Sequence, residues 1–249
     1  MPTINVHLLP QLVAVDALSA RTAVVIDVLR ATTTITTALA AGATEVIPCL
    51  EIEEARRVHA KDSGNSRLGG ERGGTAIEGF DFGNSPAEYT TERIGGRRLV
   101  FTTTNGTRAM NQCRDAGRIL LASFVNLTAV AEALVEEEAI EIVCAGTDGR
   151  IGRDDALTAG ALLMLLFQRR NPRGYELNDQ AEMVLGDWWG ASQGELVPET
   201  IAFHLRQSHG GRNLVELGME SDIGLAAQVD AHAVLPQLDI THWRVRLQA

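Results

Sequence analysis

Two stretches of this chain gather hydroxyl, amide, carboxylate and guanidinium groups directly behind apolar runs. In the first, Val24-Val25-Ile26 leads into Asp27-Val28-Leu29-Arg30-Ala31-Thr32-Thr33-Thr34. In the second, Leu99-Val100-Phe101 leads into Thr102-Thr103-Thr104-Asn105-Gly106-Thr107-Arg108. A short apolar, β-branched run followed by polar and then helix-compatible residues reads as a buried strand, a loop and a helix. Such a junction presents main-chain N–H groups and side chains at the open end of a sheet, where anionic small molecules bind. The two junctions align as copies: setting Asp27 on Thr102 sets Arg30 on Asn105, Thr32 on Thr107 and Gly42 on Gly117. The pattern is a duplicated strand-loop-helix unit with one polar site built from both copies.

Three further segments carry candidate chemistry. Leu68-Gly69-Gly70-Glu71-Arg72-Gly73-Gly74 sets a carboxylate and a guanidinium between glycine pairs that let the backbone approach a ligand. In Gly83-Asn84-Ser85-Pro86-Ala87-Glu88, Ser85 reads as an N-cap, Pro86 as the first helical residue and Glu88 as the partner in a capping box. That role accounts for Ser85 and Glu88, while the same helix start is a ready anion site for Asn84 and Ser85. Finally, Cys144-Ala145-Gly146-Thr147-Asp148 closes a third strand and Arg153-Asp154-Asp155 opens the next helix. Acidic residues in a first turn serve the helix dipole. Facing Asp27 across a crevice, Asp148, Asp154 and Asp155 would instead form an oxygen-rich pocket for a hard cation such as Mg²⁺.

The elements that would position these groups alternate along the chain. Strands are expected near residues 3–8, 23–28, 45–49, 98–102, 118–122 and 140–145, and helices near 31–41, 51–60, 85–91, 106–116, 124–137, 154–170 and 195–208. Alternation of this kind predicts an α/β fold, with mixed or parallel sheets covered by helices. The 249 residues suit a single unit. Its halves are expected at about 1–122 and 123–249, with the active site between them. The glycine-rich stretch from Asp62 to Phe82 is expected to be a long functional loop. Asn171-Pro172-Arg173-Gly174 marks a break, after which Tyr175 to Gly218 reads largely helical.

Composition narrows the function. A net charge of −10 argues against a nucleic-acid partner. Lys61 is the only lysine, so a bound anion must be gripped by arginine forks or backbone amides. The apolar run from Ala159 to Phe167 is too short to span a bilayer, and the N-terminal segment lacks the marks of a secretory signal, so the expectation is a cytoplasmic protein. Cys49, Cys113 and Cys144 show no paired spacing and read as reduced core thiols. Several phosphate chemistries are ruled out. No glycine precedes Lys61 to make a Walker loop, Leu29 stands where a haloacid-dehalogenase site needs a second aspartate, and none of the six histidines falls within these motifs, as a phosphohistidine mechanism would want.

Taken together, Asp27-Val28-Leu29-Arg30-Ala31-Thr32-Thr33-Thr34, Gly70-Glu71-Arg72, Gly79-Phe80-Asp81-Phe82-Gly83-Asn84-Ser85-Pro86, Thr103-Thr104-Asn105-Gly106-Thr107 and Cys144-Ala145-Gly146-Thr147 resemble the 2-phosphosulfolactate phosphatase (ComB-type) family from about Asn5 to Pro236. Asp222 and Asp230 fit that family's spaced acids; Asp154 stands where the family tends to have a glutamate. The resemblance implies a two-part α/β fold and a Mg²⁺-dependent phosphatase acting on 2-phosphosulfolactate, a step towards coenzyme M. On this reading Asp27, Asp148, Asp154 and Asp155 hold Mg²⁺. Arg30 and Arg72 clamp the small, doubly anionic phosphoester, and Thr32, Asn84, Ser85, Thr103, Thr104, Asn105 and Thr147 complete its surroundings. Glu71 is the candidate general base, with Asp27 as a covalent nucleophile left open. A phosphatase for another small anionic phosphoester, and a non-catalytic anion-binding protein, are the alternatives. A homodimer is the base-rate expectation for oligomeric state.

Overall fold

The computed structural model describes residues 1–170 and 174–248. Its strands are β1 (Thr3–His7), β2 (Thr22–Ile26), β3 (Glu45–Pro48), β4 (Ser66–Arg72), β5 (Thr75–Ala76), β6 (Arg98–Thr102), β7 (Arg118–Ala122), β8 (Ala139–Cys144), β9 (Glu176–Leu177), β10 (Pro236–Asp239) and β11 (Arg244–Leu247). The helices are α1 (Ala31–Ala40), α2 (Ile52–Ala60), α3 (Thr91–Ile94), α4 (Gly106–Gln112), α5 (Leu127–Leu134), α6 (Arg153–Arg169), α7 (Asp179–Ser192), α8 (Pro198–Gln207), α9 (His209–Glu216) and α10 (Ser221–Ala226). All strands join one mixed sheet in the order β5-β4-β6-β3-β11-β10-β7-β2-β8-β1-β9. The α/β fold expected from the alternation is therefore present. Because β7 and β8 both flank β2, segments on either side of residue 122 feed the same sheet.

Every residue of β2 is buried, which explains its unbroken apolar run: a central parallel strand is covered on both faces. On one face Val24, Ile26, Leu120, Ala122, Ile140 and Ile142 pack with the apolar sides of α5 to α10. On the other, Ala23, Val25, Ile119 and Leu121 join Val46, Leu99 and Phe101 around α1 and α4. Helix α1 is rich in threonine and yet lies in this core. Its hydroxyls are satisfied by main-chain carbonyls, Thr33 on Val28, Thr34 on Asn84 and Thr36 on Thr32.

The curl of the sheet is what makes a site possible. Strands β2 and β6 lie five places apart in the sheet order, which in a flat sheet would separate them by roughly 24 Å. Their ends nevertheless meet across α1 and α4: a methyl group at Gly106 would lie only 2.7 Å from Asp27 Oδ2. The antiparallel β10–β11 hairpin closes the sheet between β7 and β3. Arg246 Nε, 3.0 Å from Glu45, together with Arg244 fastens it to β3.

Several expectations are corrected. The glycine-rich stretch after Asp62 contains strand β4, parallel to β6. A Cβ at Gly70 (φ +135°) would fall 1.9 Å from Thr102 O, so a glycine there is a condition of the close pairing. The helix expected over 85–91 is a 3₁₀ turn (Pro86–Glu88) followed by the short α3. The capping box is not closed, because the Ser85 hydroxyl donates to Asp222 while Glu88 accepts from the Gly83 amide. The break expected at 171–174 falls at residues 171–173 outside the described part. Among the described residues no helix is long and apolar enough to cross a membrane.

Candidate active site

A cleft of about 260 Å³ opens where the curled sheet brings its loops together. Asp27, Leu29 and Arg30 reach it from β2, Glu71, Gly73 and Gly74 from β4, Thr104 and Asn105 from β6, and Thr147 and Asp148 from β8. Asn84 enters from the loop before the 3₁₀ turn. The remaining wall is α9, through Gly210, Asn213, Leu214 and Glu216, with Leu217 just beyond it.

The two aligned junctions are structurally equivalent. Arg30 stands immediately before α1 and Asn105 immediately before α4, each at the cap position. The start of α1 folds onto Asp27, whose Oδ1 accepts from the Ala31 amide at 3.2 Å, while the Asp27 amide donates to Thr32 Oγ1 at 3.1 Å. Thr32 is thus a buried support behind the cleft. Thr103 plays the matching part for α4, its hydroxyl accepting from the Thr107 amide and its carbonyl from the Thr107 hydroxyl. The amides of Asn105 and Gly106 have no acceptor among the described residues, as expected for the first donors of a helix. Gly106 is the tightest point: a side chain would press on Asp27 Oδ2 and, at 2.5 Å, on Ala31 Cβ. Gly106→Ala is expected to cost about 1–3 kcal/mol of stability and to displace Asp27, lowering turnover; thermal unfolding and steady-state rates on the same preparation check it.

Arg30 is the one basic side chain lining the cleft among the described residues. It is 3% exposed and held on three sides. Nη1 lies 2.7 Å from Asp222 Oδ2 and 2.9 Å from Met219 Sδ, and Nη2 donates to Gly74 O at 2.7 Å. Asp222, itself buried, accepts from Ser85 Oγ at 2.6 Å through its other oxygen. Ser85 therefore supports Asp222 and is absent from the cleft lining. Asp230, the other spaced acid, accepts from the Thr128 amide and hydroxyl and secures the start of α5.

Arg72, expected beside Arg30, is directed elsewhere. Its guanidinium donates to the carbonyls of Glu71 and Leu50 and to Thr102 Oγ1, and it does not line the cleft. As the last residue of β4 it faces opposite to Glu71, following the two-residue alternation of a strand. Glu71 does face inward. One oxygen accepts from the Thr104 amide at 2.7 Å and the other from the Gly74 amide at 2.8 Å and the Thr104 hydroxyl. It ties the loops after β4 and β6 together, with both oxygens engaged.

The acidic groups separate into layers. Asp155 lies behind the cleft, its oxygens accepting from the Val28 and Gly146 amides at 2.9 Å each, where it fixes the loops after β2 and β8. Asp148 is exposed on the rim, its amide donating to Asn105 Oδ1 at 3.3 Å. Asp154 is buried with Oδ1 lacking any partner among the described residues. Burial pushes the Asp27 carboxyl up to about 7, with the Glu71 and Asp154 charges adding to the effect. Burial likewise pushes Asp154 up to about 6 and holds Asp155 well above the usual carboxylate range.

No group of three or more His, Cys, Asp or Glu residues among those described is placed to hold a metal. The four-carboxylate pocket expected from Asp27, Asp148, Asp154 and Asp155 is therefore not assembled, because Asp155 serves main-chain amides and Asp148 sits at the rim. What remains is a smaller donor set. Asp27 lines the cleft and its Oδ2 receives no hydrogen bond among the described residues; Asp154 does not line the cleft, its unpartnered Oδ1 lying beside Gly152 and its Oδ2 beside Gly210 of the cleft wall. Mg²⁺ is commonly held by one or two carboxylates, with water and substrate oxygens completing the octahedron. The residues fit that mode and not an all-protein cage. Asn84 adds another buried oxygen without a partner at the cleft wall. The cysteines offer no competing chemistry: all three are buried, and burial pushes the Cys49 and Cys113 thiols up to about 12.

Sequence reasoning missed α9 and Asp222 as parts of the site. Gly210, Asn213 and Glu216 sit in a helix without a motif, and only the tertiary fold carries them to the cleft.

Comparison with known proteins gives a consistent result. A sequence model of the 2-phosphosulpholactate phosphatase family matches residues 7–240. A probable 2-phosphosulfolactate phosphatase from Symbiobacterium thermophilum is 44% identical over 224 residues, 89% of this chain and 92% of the relative. A protein of the same description from Thermotoga maritima is 42% identical over 220 residues, 88% of this chain and 89% of the relative. Another from Deinococcus radiodurans is 41% identical over 220 residues, 87% of each chain.

Proposed function

The chain belongs to the 2-phosphosulfolactate phosphatase family, and we propose that it hydrolyses 2-phosphosulfolactate to sulfolactate and phosphate with the help of Mg²⁺, the step expected in coenzyme M synthesis. The observation that carries the reading is the meeting of Asp27, Arg30 and the start of α4 in one cleft. The phosphoryl group would enter between Arg30, whose remaining N–H donors have no acceptor among the described residues, and the amides of Asn105 and Gly106, which likewise have none there. Donors fixed in place before the reaction favour the charge that builds on the equatorial oxygens. Asp27 keeps Oδ2 available beside that position, as nucleophile or as the group that orients attacking water. Glu71 holds the β4 and β6 loops at the spacing this requires. Asp27 and Asp154 would hold the cation, which when bound supplies charge neutralisation for the phosphoester.

The charge of the lining supports a cation. Among the described residues, Asp27, Glu71, Asp148 and Glu216 face a single arginine that is already paired with Asp222. A substrate bearing phosphate, sulfonate and carboxylate would be repelled without a positive partner. Phosphate release is therefore expected from 2-phosphosulfolactate in Mg²⁺, and not from a panel of unrelated phosphomonoesters. It should stop in EDTA and return when Mg²⁺ exceeds the chelator. Saturable binding with no phosphate release, unaffected by EDTA, would instead show a non-catalytic anion-binding protein.

A further inference from the structure

We propose that Asp222, on α10, is the positioning residue for Arg30, so that the C-terminal helices set the geometry of the anion-binding cleft; this rests on the reading of the cleft as a phosphoester site. Arg30 enters from the loop after β2, but nothing from that loop fixes its guanidinium. The groups that do are remote in sequence: Asp222 Oδ2 and Met219 Sδ on one side, and Gly74 O on the other. Asp222 is 1% exposed and its second oxygen is taken by Ser85 Oγ, so the carboxylate cannot rotate away without losing both partners.

The arrangement is a strut. Arg30 spans from the turn between β4 and β5 to α10, and the same turn lies against the segment that joins α9 to α10, since a Cβ at Gly74 would lie 2.5 Å from Leu217 Cδ1. A guanidinium has five N–H donors in a rigid plane. Directing Nη1 at a carboxylate and Nη2 at a carbonyl fixes that plane and determines which donors remain for the ligand. Without Asp222 the long side chain regains its rotamers and the remaining donors lose their aim. An error of about 1 Å in such a group is worth on the order of 100-fold in rate.

The test compares wild type, Asp222→Asn, Arg30→Lys and the double variant. It reads kcat and KM for 2-phosphosulfolactate, binding of inorganic phosphate by calorimetry, and thermal unfolding to report folding. Asp222→Ser provides a second, smaller replacement should the amide fail to fold. The expected result is a loss of about 100-fold in kcat/KM for Asp222→Asn, a matching weakening of phosphate binding, and a double variant no worse than Arg30→Lys alone. Losses that multiply in the double variant, or a folded Asp222 variant with wild-type kcat/KM and phosphate affinity, would overturn the proposal. If wild type itself neither binds phosphate nor turns over, the phosphoester reading falls with it, which is a separate and recognisable outcome.

Discussion

Asp27→Asn should abolish turnover, by about 10³-fold or more, while leaving a folded protein that is more stable than wild type at alkaline pH in the absence of metal. The first half follows from position. Asp27 presents a free carboxylate oxygen to the cleft beside Arg30 and α4, and the amide can neither attack phosphorus nor hold a cation at the same strength. The second half follows from linkage. The Asp27 carboxyl titrates near 7 in the folded protein against an ordinary value near 3.8. Between those values the folded state holds a proton that the unfolded chain has released. The favourable contribution is therefore complete below about pH 4 and is lost as pH rises through about 7. In EDTA, the melting temperature of Asp27→Asn minus that of wild type should grow from pH 4 to pH 8. Added Mg²⁺ should narrow the gap at pH 8 by stabilising wild type. A difference that stays flat with pH would show that Asp27 is not a strained buried acid, and retained turnover would remove it from the chemistry.

Arg30→Ala should fail on both counts. It strips the buried Asp222 of its partner, and an uncompensated buried charge costs about 3–5 kcal/mol. For a chain of this length that corresponds to a fall of roughly 10 °C in melting temperature. It also removes the one basic group at the cleft wall among the described residues, and kcat/KM should fall by about 10²–10³-fold. Arg30→Lys should recover much of the stability, because an ammonium can still pair with Asp222, but little of the activity. A single nitrogen cannot serve Asp222 and Gly74 O while presenting further donors to a phosphoester. Equal recovery of both by lysine would show that charge alone matters. Differential scanning calorimetry beside steady-state kinetics separates the two.

What the sequence made legible, and what it concealed, divides along physical lines. The two strand-loop-helix junctions were readable because their signals are local: a β-branched run, a polar turn, then a helix. Even the equivalence of Arg30 and Asn105 survives as a shared cap position. Strand β4 was concealed because Gly69 and Gly70 are poor strand formers, selected here by the close approach of β6. Reading that segment as a loop put both Glu71 and Arg72 at the ligand, whereas strand alternation sends Arg72 away from the cleft. Ser85 and Glu88 have capping-box spacing, but tertiary partners at Asp222 and Gly83 compete for them.

The acidic residues show the same limit. Asp154 and Asp155 are adjacent in sequence, yet one keeps an unpartnered oxygen and the other is consumed by the Val28 and Gly146 amides. No spacing rule separates those fates. The β10–β11 hairpin was invisible as well, its four-residue strands being too short to show a period. Its insertion between β3 and β7 joins the part of the sheet bearing β4 and β6 to the part bearing β2 and β8.

The most direct measurement is a crystal of the protein soaked with tungstate, a heavy analogue of phosphate located by its anomalous scattering. The account predicts a peak in the cleft, within hydrogen-bonding distance of the Arg30 guanidinium and the Asn105 and Gly106 amides and facing Asp27. A peak beside Arg72 on the far side of β4, or none in the cleft at concentrations that inhibit the enzyme, would contradict it.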